Sequence, residues 1–372
     1  MATMATEEGT ARYEGRLAGR IAAGHLRRWP RIGSGEGFRI SSLGIGTSQG
    51  AATDDVDAAY SRALRAALEA GVNVVDTAIS YRHMRSERLI GRTLTGMFAD
   101  GGVARDEVWV MSKGGYLPFD GDLPPNPSAY LRETYLTSGL VPSTQLSERM
   151  HCLDPSFLTD QLARSLDNLG LETLDVYFIH NPEEQLRDNP RAEFMLRLAK
   201  TFYVCERAVR RGQIRYYGLA TSAGLRVERS DRLYLDLDEI LRIATSVGGA
   251  DHHLRVLQLP VNSVMNEALV RVNQTFEERP CTAIEAAFWN DMLVFSHMPL
   301  LRGEILSHVP AEWTPLMPDL RTPATRALQF VRSMPGITSA LVGMKDPRHV
   351  AENLVLCQTP PLAIAPFEGP SG

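Results

Sequence analysis

The sequence predicts an α/β protein folded as a (β/α)8 TIM barrel, with a long insertion after the third strand. Eight short runs rich in β-branched residues recur along the chain, and each is followed by a stretch with apolar residues at helical spacing. An open doubly wound sheet usually has fewer strands, so eight such units favour a closed barrel. The 372 residues are 44% hydrophobic and 22% charged, which suits a folded protein with a sizeable core.

The predicted strands are runs in which β-branched and aromatic residues predominate. In chain order they are ISSLGIGTS from Ile40, VNVVDTA from Val72, EVWVMSK from Glu107, LDVYFIH from Leu174, IRYYGLA from Ile214, LRVLQLP from Leu254, MLVFSH from Met292 and ITSALVG from Ile337.

The predicted helices fall between these strands. The first, DDVDAAYSRALRAALEAG, stops at Gly71, a suitable C-terminal glycine. In chain order, helices are predicted over residues 54–71, 86–97, 155–169, 192–211, 237–247, 282–291, 322–334 and 347–357.

Two connections exceed the roughly two to six residues that ordinary loops between strand and helix need. The first, 114–154, is rich in Pro, Gly and aromatic residues and leaves a strand end, so it is a candidate lid over the catalytic face of the barrel. The second, about 261–280, includes the possible helical stretch NEALVRVNQ. We therefore predict a flexible or capping segment over 1–35, one barrel domain over 36–358 and a tail over 359–372.

Charge and composition narrow the range of partners. The 39 Lys and Arg residues face 44 Asp and Glu residues, and a net charge of −5 gives no overall basic field for nucleic acid or an anionic membrane. Four scattered cysteines predict neither a metal site nor disulfides, and no apolar run reaches the ~18 residues of a membrane span. We expect a cytoplasmic protein that binds a small molecule; the sequence leaves its oligomeric state open.

The ends of three consecutive strands carry four residues suited to acid-base chemistry. Asp76 and Tyr81 follow the second strand, Lys113 ends the third and His180 ends the fourth. A tyrosine beside an ammonium group can give a proton to a developing alkoxide, because the ammonium stabilises the phenolate. Asp76 can hold the lysine, and His180 can donate a hydrogen bond to a carbonyl oxygen. Each residue alone is more often structural, but the four together favour carbonyl chemistry.

Five features then carry a resemblance to a known family: GVNVVDTAISY, Lys113 at a strand end, LDVYFIHNP, IRYYGLA and VGMKDPRHVAENL. Together, over about residues 40–356, they resemble the aldo-keto reductases. The resemblance implies a barrel oxidoreductase that moves hydride between a nicotinamide cofactor, commonly NADPH, and an aldehyde or ketone. It also implies that the catalytic residues are Asp76, Tyr81, Lys113 and His180, with Tyr81 as general acid or base.

The cofactor segments are expected late in the chain. No G-x-G-x-x-G loop precedes a first helix, which excludes the usual dinucleotide fold, whereas barrels bind phosphate after strands seven and eight. SHMPLLRGEIL resembles the family's pyrophosphate loop, and VGMKDPRHVAENL resembles its adenosine-phosphate segment. The resemblance implies cofactor contacts from Leu300, Arg302, Gly303, Gly343, Met344, Lys345, His349, Glu352 and Asn353.

Further cofactor contacts are implied around the nicotinamide. Thr221 stands where the family often has a Ser-Asn pair, Gln258 matches its amide-binding glutamine, and His297 replaces a stacking tyrosine. Thr47 and Asp76 complete this set. Cations at 345, 348 and 349 would suit a 2′-phosphate, so NADP is expected rather than NAD.

Two other functions remain open. The chain could be a cofactor-binding regulatory or scaffold subunit with little turnover, or a lyase in which Lys113 forms a Schiff base, although Asp76 would keep that lysine protonated. The substrate is equally open among an aldose, a lactol and another carbonyl compound. Aromatic residues of the insertion are candidates for a pocket wall, namely Tyr116, Phe119, Tyr130 and Tyr135.

Overall fold

Eight parallel strands form a closed barrel in the computed structural model, which describes residues 3–29, 35–365 and 367. Each strand pairs with the strands before and after it in the chain, and the eighth pairs with the first. The predicted fold class is therefore confirmed. The strands are β1 (Leu43–Gly46), β2 (Val74–Asp76), β3 (Trp109–Gly114), β4 (Leu174–His180), β5 (Ile214–Ala220), β6 (Leu254–Pro260), β7 (Leu293–His297) and β8 (Ser339–Gly343).

The barrel helices lie where the sequence predicts them, with ends shifted by a few residues. Glycine and side-chain caps set several ends: the first helix stops at Gly71, whose φ of +113° costs a glycine little. The third starts behind Asp154, whose carboxylate accepts the Ser156 N–H. The helices are α1 (Asp54–Ala70), α2 (Arg85–Asp100), α3 (Pro155–Leu169), α4 (Arg191–Arg210), α5 (Leu237–Gly248), α6 (Ala283–Trp289), α7 (Pro323–Ser333) and α8 (Pro347–Leu354).

The strand predicted from Ile40 is two strands, which corrects the sequence analysis. Phe38–Ser41 pairs antiparallel with Leu26–Trp29, and the chain then turns into β1. The turn is fixed by long-range contacts, because the Ser42 N–H donates to the His25 carbonyl at 2.7 Å. The apolar pattern continues through the turn, so periodicity alone does not show it.

The segment before the barrel, for which the sequence predicted a flexible or capping role over 1–35, covers the N-terminal ends of the strands. A helix spans Glu7–Arg16, and the buried Ala5 N–H donates to Asp175 Oδ1 at 2.8 Å, at the start of β4. Phe38 packs edge-on against Trp109 at 5.0 Å between ring centroids, at the start of β3. Residues 1–2 and 30–34 of the predicted segment lie outside the described residues.

Ala5 and Phe38 of this N-terminal segment also belong to the apolar cluster inside the barrel. That cluster is formed mainly by inward-facing apolar residues of the strands, among them Met111, Val176, Phe178 and Phe295. A larger cluster lies between the strands and the surrounding helices, as expected of a layered α/β fold. Over the described part of the chain, no helix is both long enough and apolar enough to cross a membrane.

Both long connections carry structure of their own. The insertion after β3 contains a short helix, Pro127–Leu131, which runs on as a wider helical turn, Arg132–Thr137. The stretch NEALVRVNQ is helical only over Glu267–Val270 and then enters a hairpin of Gln274–Phe276 and Arg279–Cys281. Beyond the helix, the buried Asn273 donates to the Leu225 and Val227 carbonyls of another loop and so holds the chain in a non-helical path.

The C-terminal segment packs back onto the barrel helices. Gln329 of α7 donates to the Pro360 carbonyl at 2.8 Å, and the Leu362 N–H donates to Ser333 Oγ at 2.9 Å. Residues 366 and 368–372 of the predicted tail lie outside the described residues.

Candidate active site

The four predicted acid-base residues lie side by side at the C-terminal ends of β2, β3 and β4. Lys113 Nζ is 2.7 Å and 2.8 Å from the two Asp76 carboxylate oxygens and 4.9 Å from the centre of the Tyr81 ring. The Tyr81 and His180 ring centroids are 5.9 Å apart. Adjacent parallel strands therefore bring together side chains that are far apart in the sequence.

A buried ion pair joins Lys113 and Asp76 within the site. The Lys113 ammonium donates to the two Asp76 carboxylate oxygens at 2.7 Å and 2.8 Å and to the Thr77 carbonyl at 2.7 Å. Burial alone lowers the pKa of Lys113, but the Asp76 carboxylate and Tyr81 outweigh burial, so this pKa lies above its ordinary value. The lysine is therefore a fixed positive charge.

Tyr81 holds its proton in this environment. Burial raises the pKa of Tyr81, and the Lys113 ammonium acts in the opposite direction without cancelling the rise. The phenol is therefore protonated at neutral pH, and the lysine reduces the cost of losing that proton. This combination suits a group that must donate a proton during a reaction.

His180 is a neutral imidazole. Burial, followed by the charge of Lys113, holds the pKa of His180 well below its usual range. Its ring lies edge-on to Tyr81 on one side and to Tyr116 on the other, with 5.0 Å between the Tyr116 and His180 centroids. A neutral imidazole keeps one N–H with which it can hydrogen-bond a substrate oxygen.

His151, to which the sequence analysis gave no role, contacts the backbone of His180. It comes from the insertion, is fully buried, and its Nε2 is 2.7 Å from the His180 carbonyl oxygen. Arg197 donates to Gln185 Oε1, so the Gln185 amide nitrogen faces His151 Nδ1 at 3.0 Å. Nδ1 therefore accepts, and Nε2 carries the hydrogen that goes to His180.

A glycine makes room for this contact. Gly115 has φ of +142°, and a Cβ on it would lie 2.7 Å from His151 Nε2. A side chain at position 115 would therefore be strained and would push His151 away from His180. The sequence of the insertion, 114–154, contains one histidine, and this is the signal that could have pointed to His151.

Glu183, which the sequence analysis did not single out, is a buried carboxylate that joins two loops at this end of the barrel. It is 1% exposed, and its Oε1 accepts the Ser222 and Ala223 N–H groups at 2.8 Å and 2.9 Å. Burial raises the pKa of this carboxyl group, while the backbone N–H groups oppose the rise. Glu183 thereby ties the loop after His180 to the loop that carries Thr221.

The residues predicted to contact the nicotinamide line the same end of the barrel. Gln258 Nε2 donates to Asp76 Oδ1 at 2.8 Å, so one of its amide hydrogens serves the ion pair. Thr47 Oγ1 lies 3.0 Å from Thr77 Oγ1, and His297 Nε2 lies 3.1 Å from the Thr221 carbonyl oxygen. Burial lowers the pKa of His297 to about 4, so this ring is also neutral.

The residues predicted to contact the rest of the cofactor form two groups. Leu300, Arg302 and Gly303 make a tight turn after β7, in which the Gly303 N–H donates to the Leu300 carbonyl at 2.7 Å. The second group follows β8, where Gly343 pairs with Gly46 of β1. It comprises exposed Gly343 and His349, buried Met344 and Asn353, and half-buried Lys345 and Glu352.

Two residues among the predicted cofactor contacts carry polar atoms that a bound dinucleotide would supply with partners. Thr221 Oγ1 and Asn353 Oδ1 are buried polar atoms without a hydrogen-bond partner within the described chain, and a native structure normally satisfies such atoms. Arg348, the third cation of this segment, already forms an ion pair within the chain: its Nη2 lies 2.9 Å from Asp346 Oδ2.

Comparison with known proteins identifies the family. The model of the aldo/keto reductase family matches residues 42–244, more than half of the chain, and the chain belongs to that family. Aldose reductase B of Dictyostelium discoideum is 29% identical over 143 residues, which are 38% of this chain and 33% of that protein. The matched region thus spans about a third of that relative.

Solved structures share the fold. An aldo/keto reductase of Klebsiella pneumoniae in complex with NADP and acetate is 18% identical, covers 91% of both chains and gives a TM-score of 0.57. A Klebsiella pneumoniae aldo-keto reductase in complex with NADPH is also 18% identical, covers 90% of both chains and gives 0.58. At this identity the likeness concerns the barrel fold.

Proposed function

We propose that this protein is an NAD(P)(H)-dependent oxidoreductase that transfers hydride between a nicotinamide cofactor and an aldehyde, ketone or sugar lactol. The observation that carries the proposal is the cluster of four groups at the catalytic end of the barrel. A protonated tyrosine lies between a buried, fully paired ammonium and a neutral imidazole. Membership of the aldo/keto reductase family supports the same reaction class.

The side chains would divide the proton chemistry among them. The cofactor supplies the hydride in reduction and takes it up in oxidation. Tyr81 would donate its proton to the carbonyl oxygen, with Lys113 stabilising the phenolate that remains. His180 would hold the carbonyl oxygen in place through its N–H, and Asp76 would keep Lys113 charged. In the reverse direction Tyr81 would act as the base.

Two alternative functions, a Schiff-base lyase that uses Lys113 and a scaffold subunit with little turnover, are less well supported. A Schiff base needs an unprotonated lysine nitrogen, whereas both oxygens of Asp76 and the Thr77 carbonyl accept hydrogens from this ammonium. A scaffold subunit with little turnover would not need a protonated phenol placed beside that ion pair. Turnover with a small carbonyl or alcohol substrate is therefore the stronger proposal, and a cytoplasmic location stays a prediction.

The first test is a fluorescence titration of the purified protein with NADPH and, in parallel, with NADH. Binding of either would establish the cofactor, and the tighter of the two would identify the preferred form. Absence of binding by both would reject the oxidoreductase. Trapping with borohydride in the presence of a carbonyl compound would then test the Schiff-base reaction.

We also propose that NADP is preferred and that Lys345 and His349 contact its 2′-phosphate. Lys345 lies on the loop after β8, with its Cε 3.0 Å from the position of a Cβ on Gly50, so its side chain packs beside the loop after β1. The NADP and NADPH complexes of the two Klebsiella pneumoniae proteins support this preference. The exposed His349 adds a second nearby donor.

Replacement of Lys345 and His349 together by alanine should weaken NADPH binding by about tenfold or more and leave NADH binding nearly unchanged, because only NADPH carries the phosphate. Titration of both nucleotides with the double variant checks this. Arg321→Ala, at an exposed arginine of another loop, is the control for a general loss of positive charge. Equal losses for NADPH and NADH would place phosphate recognition elsewhere.

A further inference from the structure

Three consecutive residues directly after Tyr81 have left-handed backbone conformations. The φ angles of Arg82, His83 and Met84 are +49°, +57° and +67°, and α2 begins at the next residue. None of the three is a glycine, so Cβ crowds the backbone at each position. Non-glycine residues in this region persist only where surrounding contacts hold them, and they concentrate at functional sites. We call residues 82–84 the left-handed turn.

A buried ion pair holds the start of the left-handed turn. Arg82 Nη2 is 2.6 Å from Asp57 Oδ1 of α1, and the Arg82 side chain is 1% exposed. Arg82 Nε donates to the Ala51 carbonyl at 2.9 Å, and Nη2 lies 3.3 Å from the Thr53 carbonyl. Arg82 is thereby fixed to α1 and to the loop that precedes it.

The same carboxylate also holds the far end of the turn. Asp57 Oδ2 accepts from Arg85 Nε at 3.1 Å and from Arg85 Nη2 at 2.8 Å. One buried aspartate therefore binds the arginines on either side of His83 and Met84. This arrangement fixes the distance between Tyr81 and the start of α2.

The insertion contacts the opposite side of the left-handed turn. The His83 carbonyl accepts the Gly121 N–H at 2.7 Å, and the His83 ring lies edge-on to Phe119 at 5.5 Å between centroids. Met84 is 2% exposed. The turn is therefore held between the loop after β1 and the insertion after β3.

We propose that Arg82 is a positioning residue for Tyr81: its ion pair with Asp57 holds the left-handed turn, and the turn aims the Tyr81 phenol at Lys113 and His180. This inference rests on the proposed role of Tyr81 as general acid and base. The Tyr81 backbone has a hydrogen bond on its N-terminal side, from its N–H to the Ala78 carbonyl at 3.0 Å. On its C-terminal side the direction of the chain is set by Arg82. Without the Arg82–Asp57 ion pair, the left-handed turn can relax to ordinary backbone angles, and Tyr81 then moves with the turn.

Three variants test the proposal. Arg82→Met removes the guanidinium but keeps a long side chain, and Arg82→Lys keeps the charge but loses the planar fork that reaches a carboxylate and two carbonyls together. Arg92→Met is the matched control, because Arg92 approaches the same carboxylate, at Asp57 Oδ2, only to 3.8 Å and its side chain is 66% exposed. Thermal unfolding of each variant checks that it is folded; if Arg82→Met does not fold, Arg82→Lys carries the test.

Two measurements distinguish a change in the position of the Tyr81 phenol from a change in the rate of the reaction. In protein labelled with ¹³C at the tyrosine ring, the Tyr81 resonance is assigned by its loss in Tyr81→Phe, and it reports the surroundings of the phenol in the full chain. NADPH-dependent reduction of p-nitrobenzaldehyde, with NADPH binding measured separately, reports the reaction. We expect Arg82→Met to shift the Tyr81 resonance and to lower kcat by about 10- to 100-fold, because small misplacements of a reacting group cost that much. NADPH affinity should change by less than about threefold, and Arg82→Lys should recover part of both effects.

The outcomes distinguish this inference from the proposed function. A Tyr81 resonance and a kcat in Arg82→Met equal to those of Arg92→Met would overturn the positioning role and leave the oxidoreductase intact. A shifted resonance with unchanged kcat would overturn it as well, because the position would then not matter to the reaction. If the unmodified protein binds neither NADPH nor NADH, the proposed function fails, while a shifted resonance in Arg82→Met still supports the role of Arg82 in holding Tyr81.

Discussion

Opposing electrostatic effects act on Tyr81. Burial raises its pKa, and the Lys113 ammonium lowers it, with burial the larger effect. A tyrosine without the ammonium would hold its proton too firmly, and one without burial would sit in water that competes for the same proton. The Asp76 carboxylate keeps the lysine charged, and Gln258 in turn donates to Asp76, so the acidity of the phenol depends on a chain of three contacts that joins four residues.

Removal of the phenol oxygen should stop proton transfer and little else. We expect Tyr81→Phe to lower turnover by about two to four orders of magnitude, since that is the usual contribution of a general acid. NADPH affinity should remain nearly unchanged, because the Lys113–Asp76 pair stays intact. Steady-state kinetics and nucleotide titration check both statements. Tyr203→Phe, at a tyrosine that is 56% exposed on α4, is the control, and unchanged turnover in Tyr81→Phe would reject the catalytic role.

The insertion after β3 behaves as an element with its own core. Leu117, Tyr135, Val141 and Cys152 form a buried cluster with Phe157 of α3, separate from the main core. The insertion also pairs with itself across Tyr116 and His151, close to its two ends. Through these contacts it reaches His180, by way of His151, and the left-handed turn, by way of Gly121. The predicted lid is therefore also a support for the acid-base residues.

Phe157 and its neighbour Leu158 allow a test of this independence. Phe157 packs in the insertion cluster, whereas Leu158 packs in the main core. Phe157→Ala should leave a cavity costing about 3–5 kcal/mol, and hydrogen exchange should accelerate mainly over residues 116–152. Leu158→Ala should accelerate exchange across the barrel instead. The same exchange pattern in both variants would contradict a separate insertion core.

Buried neutral histidines shape the response of the whole molecule to acid. Burial lowers the pKa of His25 to about 3 and that of His151 to about 4, against 6.5 for an ordinary histidine. Between pH 6.5 and 4 the unfolded chain takes up protons at these positions and the folded chain does not. The free energy of unfolding therefore falls as the pH drops through this range.

His151→Gln should reduce this acid sensitivity, since glutamine can still donate to the His180 carbonyl but does not titrate. The His151 contribution amounts to about 3 kcal/mol by pH 4, because one pKa unit corresponds to about 1.4 kcal/mol. Urea unfolding from pH 7 to pH 4 should therefore show a smaller loss in His151→Gln than in the unmodified protein. His308→Gln, at an exposed histidine, should match the unmodified protein. A pH profile in His151→Gln as steep as that of the control would show that His151 does not titrate in this way.

The candidate site was predictable to the extent that strand order fixes it. Asp76, Lys113 and His180 end consecutive strands, and consecutive strands of a barrel are neighbours, so their proximity follows from the pattern of strands and helices. Gln258 was predictable as a residue of the site but not as a partner of Asp76, because that contact joins residues 182 positions apart. The cofactor contacts and the division into segments 1–35, 36–358 and 359–372 remain predictions.

The sequence by itself determined the number and order of the barrel strands, most helix ends and the four residues at the ends of those strands. Each depends on the spacing of apolar residues or on a local cap, which neighbouring residues decide. The tertiary structure alone decided the bend at Ser42, the contact of His151 with His180, and the left-handed turn held by Arg82. These features run against local preference or leave no local pattern, and they exist because partners from distant segments supply the hydrogen bonds and charges that offset their cost.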